Sequence, residues 1–107
     1  MATPIRLAGP AQLANSATTI YTVPSTTIAR VRWIKVQNPP GGSTRTFTLS
    51  VGADAAGTRI IDAKSLDPGE EYERFVDFAM TDAEIIQAFA SAAAELVIII
   101  GGDERPD

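Results

Sequence analysis

The strongest constraint on this chain is a hydrophobic period of two, recurring in short runs separated by turn residues. Thr44 to Val51 shows it most cleanly: Phe47, Leu49 and Val51 fall on one side, Thr46, Thr48 and Ser50 on the other. Successive strand side chains point to opposite faces, so such a run buries one face and wets the other. Thr18-Thr19-Ile20-Tyr21-Thr22-Val23 is β-branched and aromatic, and it stops at Pro24, which has no N–H to give a ladder. From Thr27 to Gln37, Ala29, Val31 and Trp33 alternate with Arg30 and Arg32, after which Ile34 and Val36 continue in the opposite phase. A slip of one residue inside a strand predicts a β-bulge near Trp33-Ile34.

The intervening segments are rich in turn residues. Asn38-Pro39-Pro40-Gly41-Gly42-Ser43 reads as a loop, and Gly52 to Gly57 and Leu66-Asp67-Pro68-Gly69 as turns. Thr58 to Asp62 forms a short strand, and Tyr72, Val76 and Phe78 share one face of a longer one. Thr81 to Leu96 allows two readings. Thr81-Asp82-Ala83-Glu84 matches a capping box and the alanines after it favour a helix. Ile86, Ala88 and Ala90, then Leu96, Ile98 and Ile100, fit a hairpin turning at Ala92-Ala93-Ala94, with Phe89 opposite Val97 and Ala88 opposite Ile98. The hairpin is the preferred reading.

These runs predict an all-β fold, an antiparallel, jelly-roll-like β-sandwich of about seven or eight strands. Val31, Trp33, Phe47, Leu49, Ile86, Ile98 and Ile100 are its expected core. The 107 residues suit one domain. Residues 1–16 contain Pro4, Gly9 and Pro10 without a strong period and are expected as an extended N-terminal arm, with the sandwich over 17–104.

Composition removes several classes of function. The net charge is −4 and the arginines are scattered, whereas a nucleic-acid binder needs a basic stripe. The longest apolar run, Leu96 to Ile100, falls well short of the roughly 18 residues that span a bilayer, so no membrane partner is expected. Met1 to Arg6 lacks the layout of a signal peptide. Without cysteine or histidine the chain has no disulfide or thiolate site and lacks the usual residue of acid–base and metal chemistry. Asp67, Glu70, Glu71, Glu73 and Asp77 read as a solvated strand face ahead of a calcium site or a catalytic pair. Pro39-Pro40-Gly41-Gly42 lacks the Lys-Ser/Thr of a phosphate loop, and Lys35 and Lys64 are the only lysines available to activate a nucleophile. Trp33, Tyr21, Tyr72 and Phe47 read as core in preference to a sugar-stacking platform. No catalytic residue, cofactor or metal is expected, and the chain is not expected to be an enzyme.

The last hairpin is apolar on both sides. Ile86, Ala88, Leu96, Ile98 and Ile100 form its inner face, while Ile85, Phe89, Val97 and Ile99 are left for the outer one. An apolar outer face needs a cover, and another subunit is the economical one. Those four residues are the candidate protein interface.

The order Thr19-Ile20-Tyr21-Thr22-Val23-Pro24, Ile34-Lys35-Val36-Gln37-Asn38, Phe47-Thr48-Leu49-Ser50-Val51 and Leu66-Asp67-Pro68-Gly69-Glu70, closing with Leu96 to Gly102, resembles small tailed-bacteriophage virion proteins built as β-sandwiches. The resemblance runs over roughly residues 15–104 and departs where Thr81-Asp82-Ala83-Glu84 replaces a Gly-Asp turn. It implies a virion location and a capsid decoration or cement role. The implied partners are further copies of the chain (a trimer fits) and the major capsid protein or another virion protein. A receptor- or glycan-binding module of a tail or head fibre is the second role it allows, and an enzyme accessory domain the third.

Overall fold

The computed structural model describes residues 3–106. They form eight strands: β1 (Thr3–Gln12), β2 (Thr18–Thr22), β3 (Thr27–Gln37), β4 (Arg45–Val51), β5 (Arg59–Leu66), β6 (Glu71–Met80), β7 (Ile85–Ala90) and β8 (Val97–Pro106). Two four-stranded antiparallel sheets result, ordered β1-β8-β3-β6 and β2-β7-β4-β5.

This order follows from folding one long hairpin. β4 pairs with β5, β3 with β6, β2 with β7 and β1 with β8, so each strand meets its counterpart counted from the other end of the hairpin. The tip is the β4–β5 turn, closed by Val51 N–H donating to the Thr58 carbonyl. The two arms stay hydrogen-bonded even where they cross between sheets. Asn38 pairs with Glu70 and Gly69 at the first corner, Val23 with Glu84 and Ala83 at the second, and Leu13 with Leu96 and Ala94 at the third. Wrapping the ribbon adds the β3–β8 and β4–β7 pairings and yields a jelly roll, the expected fold class.

Between the sheets lies one core. Phe47, Leu49, Ile34, Val31, Val36, Ile86, Ile98 and Ile100 are fully buried there, and Phe47 meets Tyr72 edge-to-face at 5.4 Å between ring centroids. Asn38 is 1% exposed. Its Nδ2 donates to the Ser43 and Leu66 carbonyls at 2.9 and 3.0 Å, tying together the loops on either side of the first corner.

Four sequence expectations are corrected. The bulge is present in β3 but falls at Arg32, skipped in the pairing with both β6 and β8. It reverses the strand's phase, so Ile34 and Val36 replace Trp33 in the core and Trp33 sits half-buried on the outer face. Residues 3–12 of the expected arm are strand β1, hydrogen-bonded along β8. The chain after Thr81 is extended, as the hairpin reading required, yet β7 and β8 belong to different sheets and do not pair. Ala88 therefore pairs with Leu49 and Thr18, and Ile98 with Val36 and Ala11. The capping-box residues make one of that motif's two bonds: Glu84 Oε1 accepts from the backbone N–H of Thr81 at 2.6 Å, but the Thr81 hydroxyl donates to the same oxygen at 2.8 Å, and the Glu84 N–H goes to the Thr81 carbonyl. They close a turn instead of starting a helix, with Ala83 at φ 68°, the left-handed position a glycine takes most easily.

Candidate recognition face

The two outer faces of the sandwich are built differently. On the β2-β7-β4-β5 sheet, Thr48 and Ser50 point outward yet are buried: the Thr48 hydroxyl accepts from the Ala63 N–H of β5 at 3.1 Å, and the β4–β5 turn folds over Ser50. Asp54 in that turn accepts from the Ser50 hydroxyl at 2.8 Å and from Arg59 Nε at 3.0 Å, while its own N–H donates to Gln87 Oε1 at 2.9 Å. The Arg59 guanidinium, followed by the Ser50 hydroxyl, holds the Asp54 carboxyl below the usual carboxylate range. Arg59 also lies 5.8 Å above the Phe89 ring, and Gly52 N–H donates to the Ile85 carbonyl. The turn covers the Ser50 end of this sheet, while Ile60 on β5 stays 41% exposed.

The outer face of β1-β8-β3-β6 carries two cross-strand layers. Opposite charges pair across β3 and its neighbours: Arg30 Nη1 with Asp77 at 2.9 Å, Lys35 Nζ with Glu71 at 3.4 Å, and Arg32 Nε with Asp103 at 3.4 Å. The acidic residues of β6 are thus drawn to β3's cations, and among the described residues no three His, Cys, Asp or Glu converge. Among these charges lies an apolar strip. Trp33 Nε1 donates to Glu73 Oε2 at 2.7 Å, which fixes the indole across the sheet. The six-membered ring rests on Gly101, where an added Cβ would lie 2.6 Å from Trp33 Cε3. Phe75 pairs with Trp33 across the strands and is 77% exposed, and Ile5 is 42% exposed. A groove of 540 Å³ runs beside Trp33, lined by Ile5, Arg6, Arg32, Trp33 and Gly101 to Asp103.

No family model matches the chain, and no curated protein does. Its similarities are to solved structures. A chain from the acid-stable capsid of the Helicobacter pylori bacteriophage KHP30 aligns with TM-score 0.57 and 13% identity over the whole of both chains. A chain from Bacillus endospore appendages, a family of disulfide-linked pili, aligns with TM-score 0.54 and 15% identity over 98% of this chain and 88% of that one. A chain of infectious bursal disease virus, Gx strain, aligns with TM-score 0.55 and 11% identity over 97% of this chain, which spans only 31% of it. At such identities the likeness is one of fold. The β-sandwich implied by the sequence resemblance is the fold observed, and it is shared with viral capsid and pilus chains.

The four candidate interface residues do not form one patch. Ile85 and Phe89 are on the outer face of β7, Val97 and Ile99 on that of β8, with the thickness of the sandwich between them. All four are half-buried. The error was to join β7 and β8 sideways when they stack across the core. Phe75, Ile5, Arg6 and the glycine pair were missed, although the sequence carried signals. Phe75 is an aromatic on the parity of Glu73 and Asp77, the polar side of β6. Two adjacent glycines inside a strand mark a close approach. Of the four aromatics weighed as a platform, Tyr21 and Phe47 are core, Tyr72 packs against it, and Trp33 alone reaches the outer face.

Proposed function

We propose that this chain is a non-enzymatic structural protein of a bacteriophage virion, of the capsid decoration or cement type. It docks through the outer β1-β8-β3-β6 face onto the major capsid protein or another virion protein, and assembles with further copies of itself. The observation carrying this reading is the unlike treatment of the two outer faces. One is covered at its Ser50 end by its own β4–β5 turn and leaves Ile60 41% exposed; the other leaves Phe75 77% exposed beside Trp33 and Ile5. An exposed aromatic flanked by fixed ion pairs has the make-up of an interface anchor within a polar rim. The jelly roll aligned along the full length of a phage capsid chain supports the virion assignment. The engagement of Asp54, Glu71, Glu73 and Asp77 by cations or the indole supports a role without catalysis.

The test compares purified particles from cultures with and without the coding sequence, by negative stain and with an antibody against the chain. The expected result is antibody label on the particles, lost with Phe75→Asp although that variant stays folded. A chain absent from purified particles, or Phe75→Asp incorporated at the normal level, overturns the reading.

A further inference from the structure

We infer that the groove beside Trp33 reads a carboxylate borne next to an apolar side chain, and that its occupant is an acidic segment of a partner protein. The inference rests on the proposal that this face is the docking face, and it names what docks. Gly101 and Gly102 contribute no side chain, so the floor is the indole and bare strand, and 540 Å³ is ample for one or two anchoring side chains. The charged groups around that floor are not equivalent. Arg32 is committed to Asp103 at 3.4 Å, and the indole N–H to Glu73 at 2.7 Å. Arg6, which pairs with Gly101 from β1, makes no ion pair within 4.0 Å among the described residues.

The groove therefore offers one guanidinium fork with its donors available, beside an apolar floor whose own polar groups are occupied. A guanidinium fork matches a carboxylate in two parallel hydrogen bonds. The chain as a whole carries −4, so an acidic partner is drawn to this spot and repelled elsewhere, which sharpens register more than it adds affinity. The same count of donors argues against a saccharide. A sugar ring brings several hydroxyls that need partners once desolvated, and the groove has one uncommitted fork to give them. An aspartate or glutamate next to an aliphatic or aromatic residue needs no more than that.

Trp33 is the single tryptophan, so its fluorescence reports the groove directly. The probes are phenylacetate, its neutral relative phenylacetamide, and glucuronate. The expected result is a saturable change with phenylacetate, at least tenfold weaker with phenylacetamide, and at least tenfold weaker in Arg6→Gln. Amide shifts should concentrate at Arg6, Trp33, Gly101 and Gly102. A phenylacetate response unchanged by Arg6→Gln, or no saturable response at all, overturns the carboxylate reading. Glucuronate, a carboxylate with no apolar neighbour, binding as tightly as phenylacetate overturns the apolar half of the reading. Self-association of the wild-type chain, lost in Arg6→Gln by sedimentation, makes the occupant a second copy. Scoring Arg6→Gln and Phe75→Asp for incorporation into particles separates the two proposals: Arg6→Gln incorporated normally despite lost probe binding overturns the partner segment as occupant, whereas Phe75→Asp incorporated normally overturns the docking face.

Discussion

Two adjacent glycines in β8 should pay very different penalties for the same methyl group. At Gly102 an added Cβ would lie 2.0 Å from the Arg30 carbonyl oxygen and 3.1 Å from a Leu7 methyl. An ordinary contact begins at 3.4 Å, so β3 and β8 would have to separate by about 1.4 Å at that point. A backbone hydrogen bond of ordinary length does not survive such a displacement. Losing two ladder bonds and leaving their groups under-satisfied costs roughly 1–3 kcal/mol each, so Gly102→Ala should cost about 3–5 kcal/mol. For a domain of this size that lowers Tm by roughly 15 °C or more. At Gly101 the obstacle is the Trp33 ring, 2.6 Å away, a side chain on the outer surface that can swing aside. Gly101→Ala should cost about 1 kcal/mol and break the Trp33–Glu73 bond, shifting tryptophan emission while the fold persists. Urea unfolding followed by far-ultraviolet circular dichroism and by Trp33 fluorescence measures both. If Gly102→Ala unfolds within about 1 kcal/mol of the parent, the close approach of β8 to the Arg30 carbonyl is wrong, and with it the register at the bulge.

Three further outcomes follow from the same geometry. Burial, then the hydrogen bond to Glu104 and its charge, hold the Tyr21 hydroxyl protonated well above its ordinary pKa. The folded state thus keeps a proton that the unfolded state releases near pH 10, so stability should be level below pH 10 and fall as pH rises beyond it, with Tyr21→Phe flattening the fall in alkaline melts. Asp54 titrates lower folded than unfolded, so its contribution is present above the ordinary carboxylate range and lost as pH falls through its folded value; Asp54→Asn should speed amide exchange in residues 52–58 and remove that acid dependence. Asn38→Leu leaves the Ser43 and Leu66 carbonyls without their donor and should cost about 2–4 kcal/mol in urea melts.

Much of the fold was legible because period-two runs and turn residues are local signals. The strands at Thr18, Thr27 and Arg45, the Asn38–Ser43 loop and the existence of a bulge all come from residues adjacent in sequence. Strand partners do not. Whether β7 lies beside β8 or across the core from it depends on how the long hairpin wraps, and both arrangements bury Ala88 and Ile98. β1 was hidden because Gly9 and Pro10 break its period at a point where Gly9 passes against the Ile98 carbonyl. The candidate interface failed for the same reason as the hairpin, since it assumed that outward residues of β7 and β8 share a side. Phe75 escaped because Trp33, its partner across β3 and β6, had been assigned to the core; the change of phase at Arg32 puts Trp33 on the outer face beside it.

Side-chain footprinting of the chain, free and on its particle, tests the docking face most directly. Hydroxyl-radical labelling of Phe75, Trp33 and Ile5 should fall several-fold on assembly, while Ile60, 41% exposed on the opposite sheet, keeps its free-state reactivity. Protection at Ile60 and Phe89 with Phe75 still fully reactive would contradict it and place the contact on the β2-β7-β4-β5 face.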